Sequence, residues 1–213
     1  TQGLLYHQGH LYESTGTYGG SSLRLVKPKS GEILRQHQLP ATQFGEGLAL
    51  VDDRLIQLTW REGQARVYGL EDFALLATFT YSGEGWGLCF DGQDLWMTSG
   101  DSMLVRRDPD NFAILGQVQV KRGIFPVSGV NELECVGPHL YGNLYKTDRI
   151  LRIDKTTGAV VAEIDASALN GPSRRPGATT AVLNGIAWNR DSDTFFLTGK
   201  FWPSLFEVRF VPM

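Results

Sequence analysis

The chain has 213 residues, a formal net charge of -3, 42% hydrophobic and 20% charged residues. That length buries a substantial core, and that composition belongs to a folded globular chain, not a disordered one. No long basic run offers a nucleic-acid surface and no apolar stretch is long enough to span a membrane, which sets those two classes aside.

The predicted elements, taken in chain order, recur in five copies. The first opens with Gln2-Gly3-Leu4-Leu5-Tyr6, turns to a second strand at Leu11, and adds strands at Ser22 to Val26 and Ile33 to Gln36. The second opens with Glu46-Gly47-Leu48-Ala49-Leu50, returns at Leu55, and continues at Gln64 to Tyr68 and Leu75 to Phe79. The third opens with Trp86-Gly87-Leu88-Cys89-Phe90, returns at Leu95, and continues at Met103 to Arg107 and Ile114 to Val118. The fourth opens with Asn131-Glu132-Leu133-Glu134-Cys135, returns at Leu140, and continues at Arg149 to Asp154 and Val160 to Ile164. The fifth opens with Asn184-Gly185-Ile186-Ala187-Trp188, returns at Phe195, and adds only one more strand, at Leu205 to Phe210.

From the glycine column to the second strand the count is 8 in four copies and 10 in the last, where Asn189 to Asp193 form a longer turn. Such a unit reads as a hairpin followed by two more antiparallel strands. Repeated at about forty to fifty residues, it predicts an all-β, five-bladed β-propeller with four-stranded antiparallel blades. Residues 1–213 are expected to form that single domain, with the missing outer strand of the last blade supplied by a segment preceding Thr1. Asp165 to Thr180, rich in Gly, Pro and Arg, is expected to be a rim loop with a helical turn at Ala166 to Leu169. Cys89 and Cys135 fall in columns of opposite parity, which predicts two separate buried thiols, not a disulfide.

The first strand of each propeller blade lines the central channel, so the variable residues that open it gather at one mouth. They are Gln2, Glu46, Trp86, Asn131 and Asn184. The second strand returns to the same mouth, bringing Gly16, Trp60, Gly100, Tyr145 and Lys200. Positions that only hold a repeat together tend to repeat, whereas these differ in every blade. Trp96, Trp188 and Trp202 are expected in the core instead, and Asn184 equally suits satisfying loop backbone groups.

One carboxylate, one ammonium, three amides and three aromatics suit a small polar substrate enclosed by aromatic walls. Glu46 could shuttle a proton, while the amides and Lys200 could hold a developing oxyanion. No Ser-His-Asp pattern, phosphate loop or His cluster is present, which disfavours covalent catalysis and metal hydrolysis. The expectation is therefore no catalytic metal and no cofactor.

The segments TQGL at Thr1 to Leu4, YESTGTYGGSS at Tyr12 to Ser22, FGEGL at Phe44 to Leu48 and GWGL at Gly85 to Leu88 closely resemble the plant and bacterial type of glutaminyl cyclase. So do VNELE at Val130 to Glu134, LNGIAW at Leu183 to Trp188 and TGKFWP at Thr198 to Pro203, in family order over nearly the whole chain. The resemblance implies a five-bladed propeller that converts an N-terminal glutamine of peptides or proteins into pyroglutamate, releasing ammonia. It places the family's glutamate on Glu46, its glutamine on Gln2, its asparagine on Asn131, its lysine on Lys200 and two tryptophans on Trp60 and Trp86. A third aromatic position, commonly Trp in plant members, is Tyr145 here.

Glu46, Lys200, Asn131 and Gln2 are thus the expected catalytic set, with Trp60, Trp86, Tyr145 and Asn184 around the substrate. Export to the periplasm or secretion is what many family members imply, and a monomer is expected. A structural Ca²⁺ ion deeper in the channel is compatible with this reading. The rivals are a calcium-dependent lactonase-like propeller, for which one mouth carboxylate is thin, and a non-catalytic peptide-binding propeller.

Overall fold

The computed structural model describes residues 1–169 and 181–212. Five antiparallel sheets follow one another along the chain and form a five-bladed β-propeller. Blade one is β1 (Gly3–His7), β2 (His10–Thr15), β3 (Ser22–Val26) and β4 (Ile33–Gln38). Blade two is β5 (Gly45–Val51), β6 (Arg54–Thr59), β7 (Gln64–Gly69) and β8 (Leu75–Thr80). Blade three is β9 (Leu88–Phe90), β10 (Leu95–Met97), β11 (Met103–Arg107) and β12 (Ile114–Gln119).

A two-stranded hairpin, β13 (Lys121–Arg122) and β14 (Phe125–Pro126), separates blades three and four, and the repeat frame gave no sign of it. Blade four is β15 (Val130–Val136), β16 (His139–Leu144), β17 (Arg149–Asp154) and β18 (Val160–Asp165). Blade five is β19 (Leu183–Asn189), β20 (Thr194–Gly199) and β21 (Phe206–Val208). Residues 167–169 form the expected helical turn, and the remainder of the rim loop lies outside the described residues.

The core lies between the blades, because each sheet is apolar on both faces. Leu5, Tyr12 and Leu23 of blade one pack on Leu48, Leu55 and Tyr68 of blade two. Ala49, Ile56 and Val67 of blade two meet Leu88, Leu95 and Met97 of blade three. Trp96 and Leu104 face Leu133 and Leu140 of blade four, and Ile150 faces Ile186 and Leu197 of blade five. The ring closes where Leu4 and Leu11 of blade one meet Ala187 and Phe196 of blade five.

The inner strands approach one another closely around the channel. A Cβ on Gly47 would stand 2.5 Å from the backbone N of Leu88, and one on Gly87 2.1 Å from the Asn131 carbonyl oxygen. Neither distance is tolerable, so the glycine column is a packing requirement of the ring. Blade four departs from it with Glu132, which is fully buried. One Glu132 carboxyl oxygen accepts the Leu4 N–H at 3.2 Å and the other accepts the Ile186 N–H at 2.8 Å. This side chain ties the inner strands of blades one, four and five together. Burial and then the neighbouring Glu134 carboxylate push its carboxyl well above the usual carboxylate range, against the pull of those two donors.

The separate thiols expected from sequence are not found: Cys89 and Cys135 form a disulfide between β9 and β15, with Cα atoms 5.5 Å apart. The parity argument holds within a sheet, but neighbouring blades meet through opposite faces. Residues of opposite parity are therefore the ones that confront each other, as Ala49 of blade two confronts Leu88 of blade three. The bridge closes a sequence separation of 46 residues, for which the chain-entropy view gives about 4 kcal/mol. The double variant C89A/C135A should lose roughly 2–4 kcal/mol in urea unfolding, and reducing agent should destabilise the parent but not the variant.

Candidate active site at the channel mouth

Pairing breaks where the first strands begin. Gly45 pairs with Thr59 and Leu48 with Gln57, so Glu46 and Gly47 together oppose one residue of β6. The same break isolates Asn131 with Glu132 in β15 and Asn184 with Gly185 in β19. A bulge of this kind re-aims its side chains, and here it turns three polar residues away from the ladder. Gln2 stands just before β1, where its N–H donates to the Ser14 carbonyl at 2.9 Å. Trp86 stands just before β9, its N–H donating to Thr98 at 2.9 Å and its carbonyl accepting the Gly47 N–H at 2.7 Å.

Gln2, Glu46, Asn131 and Asn184 are all buried, between 0% and 6% exposed. Each nonetheless holds one oxygen without a protein partner: Gln2 Oε1, Glu46 Oε2, Asn131 Oδ1 and Asn184 Oδ1. Buried polar atoms in folded proteins are normally satisfied, so four orphan acceptors in corresponding positions of four blades make this mouth the candidate site. Asn184 also serves a backbone group, its Nδ2 donating to the Thr1 carbonyl at 3.1 Å.

The second strands complete the walls. Trp60 follows β6, its ring centroid 5.5 Å from that of Phe44 and its face covered by the Arg61 guanidinium at 3.8 Å. Tyr145 follows β16 and meets Trp86 edge-to-face at 5.5 Å. The Lys200 ammonium lies 5.2 Å from the Tyr145 ring centroid. Gly16 and Gly100, the other two members of this ring, lie under aromatic side chains. A Cβ on Gly16 would strike the Phe44 ring at 2.2 Å, and one on Gly100 the Trp86 indole at 2.5 Å.

Burial pushes the Glu46 carboxyl up to about 8, with the Lys200 ammonium pulling it back and the Glu84 and Glu62 carboxylates adding to the rise. Burial likewise lowers the Lys200 ammonium, with Glu46 opposing. Among the described residues no group of three or more His, Cys, Asp and Glu could hold a metal ion. Glu132, in the channel, has each carboxyl oxygen engaged by a backbone N–H.

A sequence model described as glutamine cyclotransferase matches residues 1–210. The chain belongs to the glutamine cyclotransferase family. The glutaminyl-peptide cyclotransferase of Arabidopsis thaliana is 36% identical over 212 residues, covering 98% of this chain and 66% of that protein. The chain thus spans about two thirds of the length of that relative. The crystal structure of Myxococcus xanthus glutaminyl cyclase superposes with a TM-score of 0.90 at 44% identity, covering 98% of this chain and 89% of that one. The WD40 β-propeller domain of Doa1 matches at a TM-score of 0.55 and 11% identity, over 96% of this chain and 62% of that one. That last likeness shows the propeller fold alone.

In this member of the family the eight non-glycine residues expected at the mouth lie within two residues of a first-strand start or a second-strand end. Trp96 is buried, as expected, while Trp188 and Trp202 pack half-buried against the core between blades four and five. Two contributors escaped the repeat reading. Phe44 lies one residue before β5, and the signal for it was the glycine opposite, Gly16. Glu84 lies in the β8–β9 connection, outside both repeat columns, and only side-chain geometry reveals it.

The raised Glu46 carboxyl has a stability consequence. Its folded form holds the proton more tightly than the unfolded chain, so its contribution is present below about 4.5 and is lost as pH rises through about 8. The stability of Glu46→Gln relative to the parent should therefore rise as pH goes from about 4.5 to about 8. Urea unfolding of both proteins across that range measures the difference.

Proposed function

We propose that this chain cyclises the N-terminal glutamine of peptides and proteins to pyroglutamate, releasing ammonia. The observation that carries the reading is a buried carboxyl with its pKa raised to about 8, at a mouth shared with Lys200 and orphan amide oxygens. The reaction joins an amine and a carboxamide, both rich in N–H donors, and four unpartnered acceptors suit such a ligand. A general acid–base works best when its pKa lies near the operating pH.

The substrate's neutral α-amine attacks its own γ-carboxamide carbon, forming the ring C–N bond and an oxyanion. Glu46 as carboxylate takes the proton that the amine must lose. The Lys200 ammonium and the amides of Gln2 and Asn131 stabilise the oxyanion. Glu46 then returns the proton to the leaving nitrogen as the exocyclic C–N bond breaks, and ammonia departs. Trp60, Trp86 and Tyr145 hold the side chain bent toward attack and exclude water, and Asn184 orients the polar end. No covalent enzyme intermediate and no metal enter this sequence. All these residues come from one chain, so a monomer suffices. The Cys89–Cys135 bridge favours an oxidising compartment, in keeping with a periplasmic or secreted protein.

Glu46→Gln should fold and lose at least about a hundredfold in turnover, the usual scale for a general acid–base. Turnover by the parent should rise from mildly acid to mildly alkaline pH as Glu46 ionises. More than half of parental activity in the folded variant would remove Glu46 from the chemistry. Lys200→Met should lower kcat far more than it raises KM, since the charge it meets develops only in the transition state. Weakened binding with unchanged kcat would make Lys200 an anchor instead. Dialysis against chelator should leave activity intact, and loss restored by calcium or zinc would contradict metal-free catalysis.

A further inference from the structure

Neither Trp60 nor Trp86 belongs to any of the five interblade cores. Both are half-buried, so packing alone leaves their indoles underdetermined. Both indoles converge on one acceptor: Trp60 Nε1 donates to Glu84 Oε2 at 2.8 Å, and Trp86 Nε1 donates to the same oxygen at 2.9 Å. The other oxygen, Oε1, takes the Arg61 Nε at 3.0 Å. Arg61 in turn lies over the Trp60 ring at 3.8 Å. The carboxylate thus closes a loop of contacts that includes both tryptophans, one from blade two and one from blade three. From this pair the wall extends to Phe44 on one side and Tyr145 on the other, each at 5.5 Å.

We infer that Glu84 is a positioning residue that sets the shape of the aromatic clamp by fixing the Trp60 and Trp86 indoles on a single carboxylate oxygen. The inference rests on the cyclisation reading for its kinetic consequence, not for its geometry. Hydrogen bonds from an N–H to a charged acceptor are the stronger kind. The donated bonds, Trp86's foremost, also hold the Glu84 carboxyl below the usual range against its partial burial. It therefore stays ionised throughout the neutral range. Intramolecular attack depends on the bound rotamer of the substrate's side chain, so walls that swing should cost turnover as well as binding.

Two variants separate positioning from charge. Glu84→Ala removes the shared acceptor, whereas Glu84→Gln keeps an oxygen able to take both indole N–H groups. On Gln-peptides, E84A should lose about ten- to a hundredfold in kcat/KM, shared between kcat and KM, with an unchanged thermal midpoint. E84Q should recover to within about threefold of the parent. Tryptophan emission of E84A should shift to the red and quench faster with acrylamide, while E84Q resembles the parent. Unchanged kinetics and emission in E84A would overturn the inference. An E84Q as impaired as E84A would overturn it too, by assigning the effect to charge. If the parent turns over no Gln-peptide, the cyclisation reading fails, and emission and quenching alone decide the clamp.

Discussion

The close approach of five inner strands around one axis is the constraint on which the rest depends. It forces glycine at Gly47 and Gly87, where a side chain would overlap the next strand's backbone. It also leaves the residue before each glycine beside the mouth, on backbone held from both sides. In three blades the accompanying bulge frees that residue from the ladder and aims it at the common space. A ring packed this tightly has little slack, so the polar residues on the inner strands are preorganised by the fold. Such rigidity is what positioning catalysis requires.

The same constraint explains the electrostatics. A carboxyl placed in a bulge of an inner strand cannot reach bulk water, and burial raises its proton affinity. At Glu46 the Lys200 ammonium partly offsets that rise, leaving a group that changes charge near neutrality. At Glu132 the groups that engage the carboxyl are two backbone N–H donors, and it serves as a tie between strands. Two glutamates of the same ring thus take different roles because their neighbours differ, not because their burial does.

The five copies, their hairpins and the mouth columns were legible because glycine, apolar alternation and turn residues each follow from local sterics. Gln2, Glu46, Asn131, Asn184, Trp60, Trp86, Tyr145 and Lys200 could be placed by counting from those landmarks. What escaped depends on relations between blades. The disulfide was misread because parity was applied across two sheets that meet by opposite faces. Glu84 sits in a connection with no repeat register, and its meaning appears only when two distant indoles are seen on one oxygen. The β13–β14 hairpin is an insertion between blades three and four, for which a repeat frame supplies no template.

The central claim is that the γ-carboxamide nitrogen leaves while the α-nitrogen closes the ring. A synthetic peptide beginning with glutamine labelled with ¹⁵N only at the side-chain amide tests it, with mass spectrometry of the peptide and of the released ammonia. The account predicts a peptide that loses one ammonia, with all of the label in the ammonia and an N-terminus blocked as pyroglutamate. A product bearing N-terminal glutamate, or a peptide returned intact and still labelled, would contradict it.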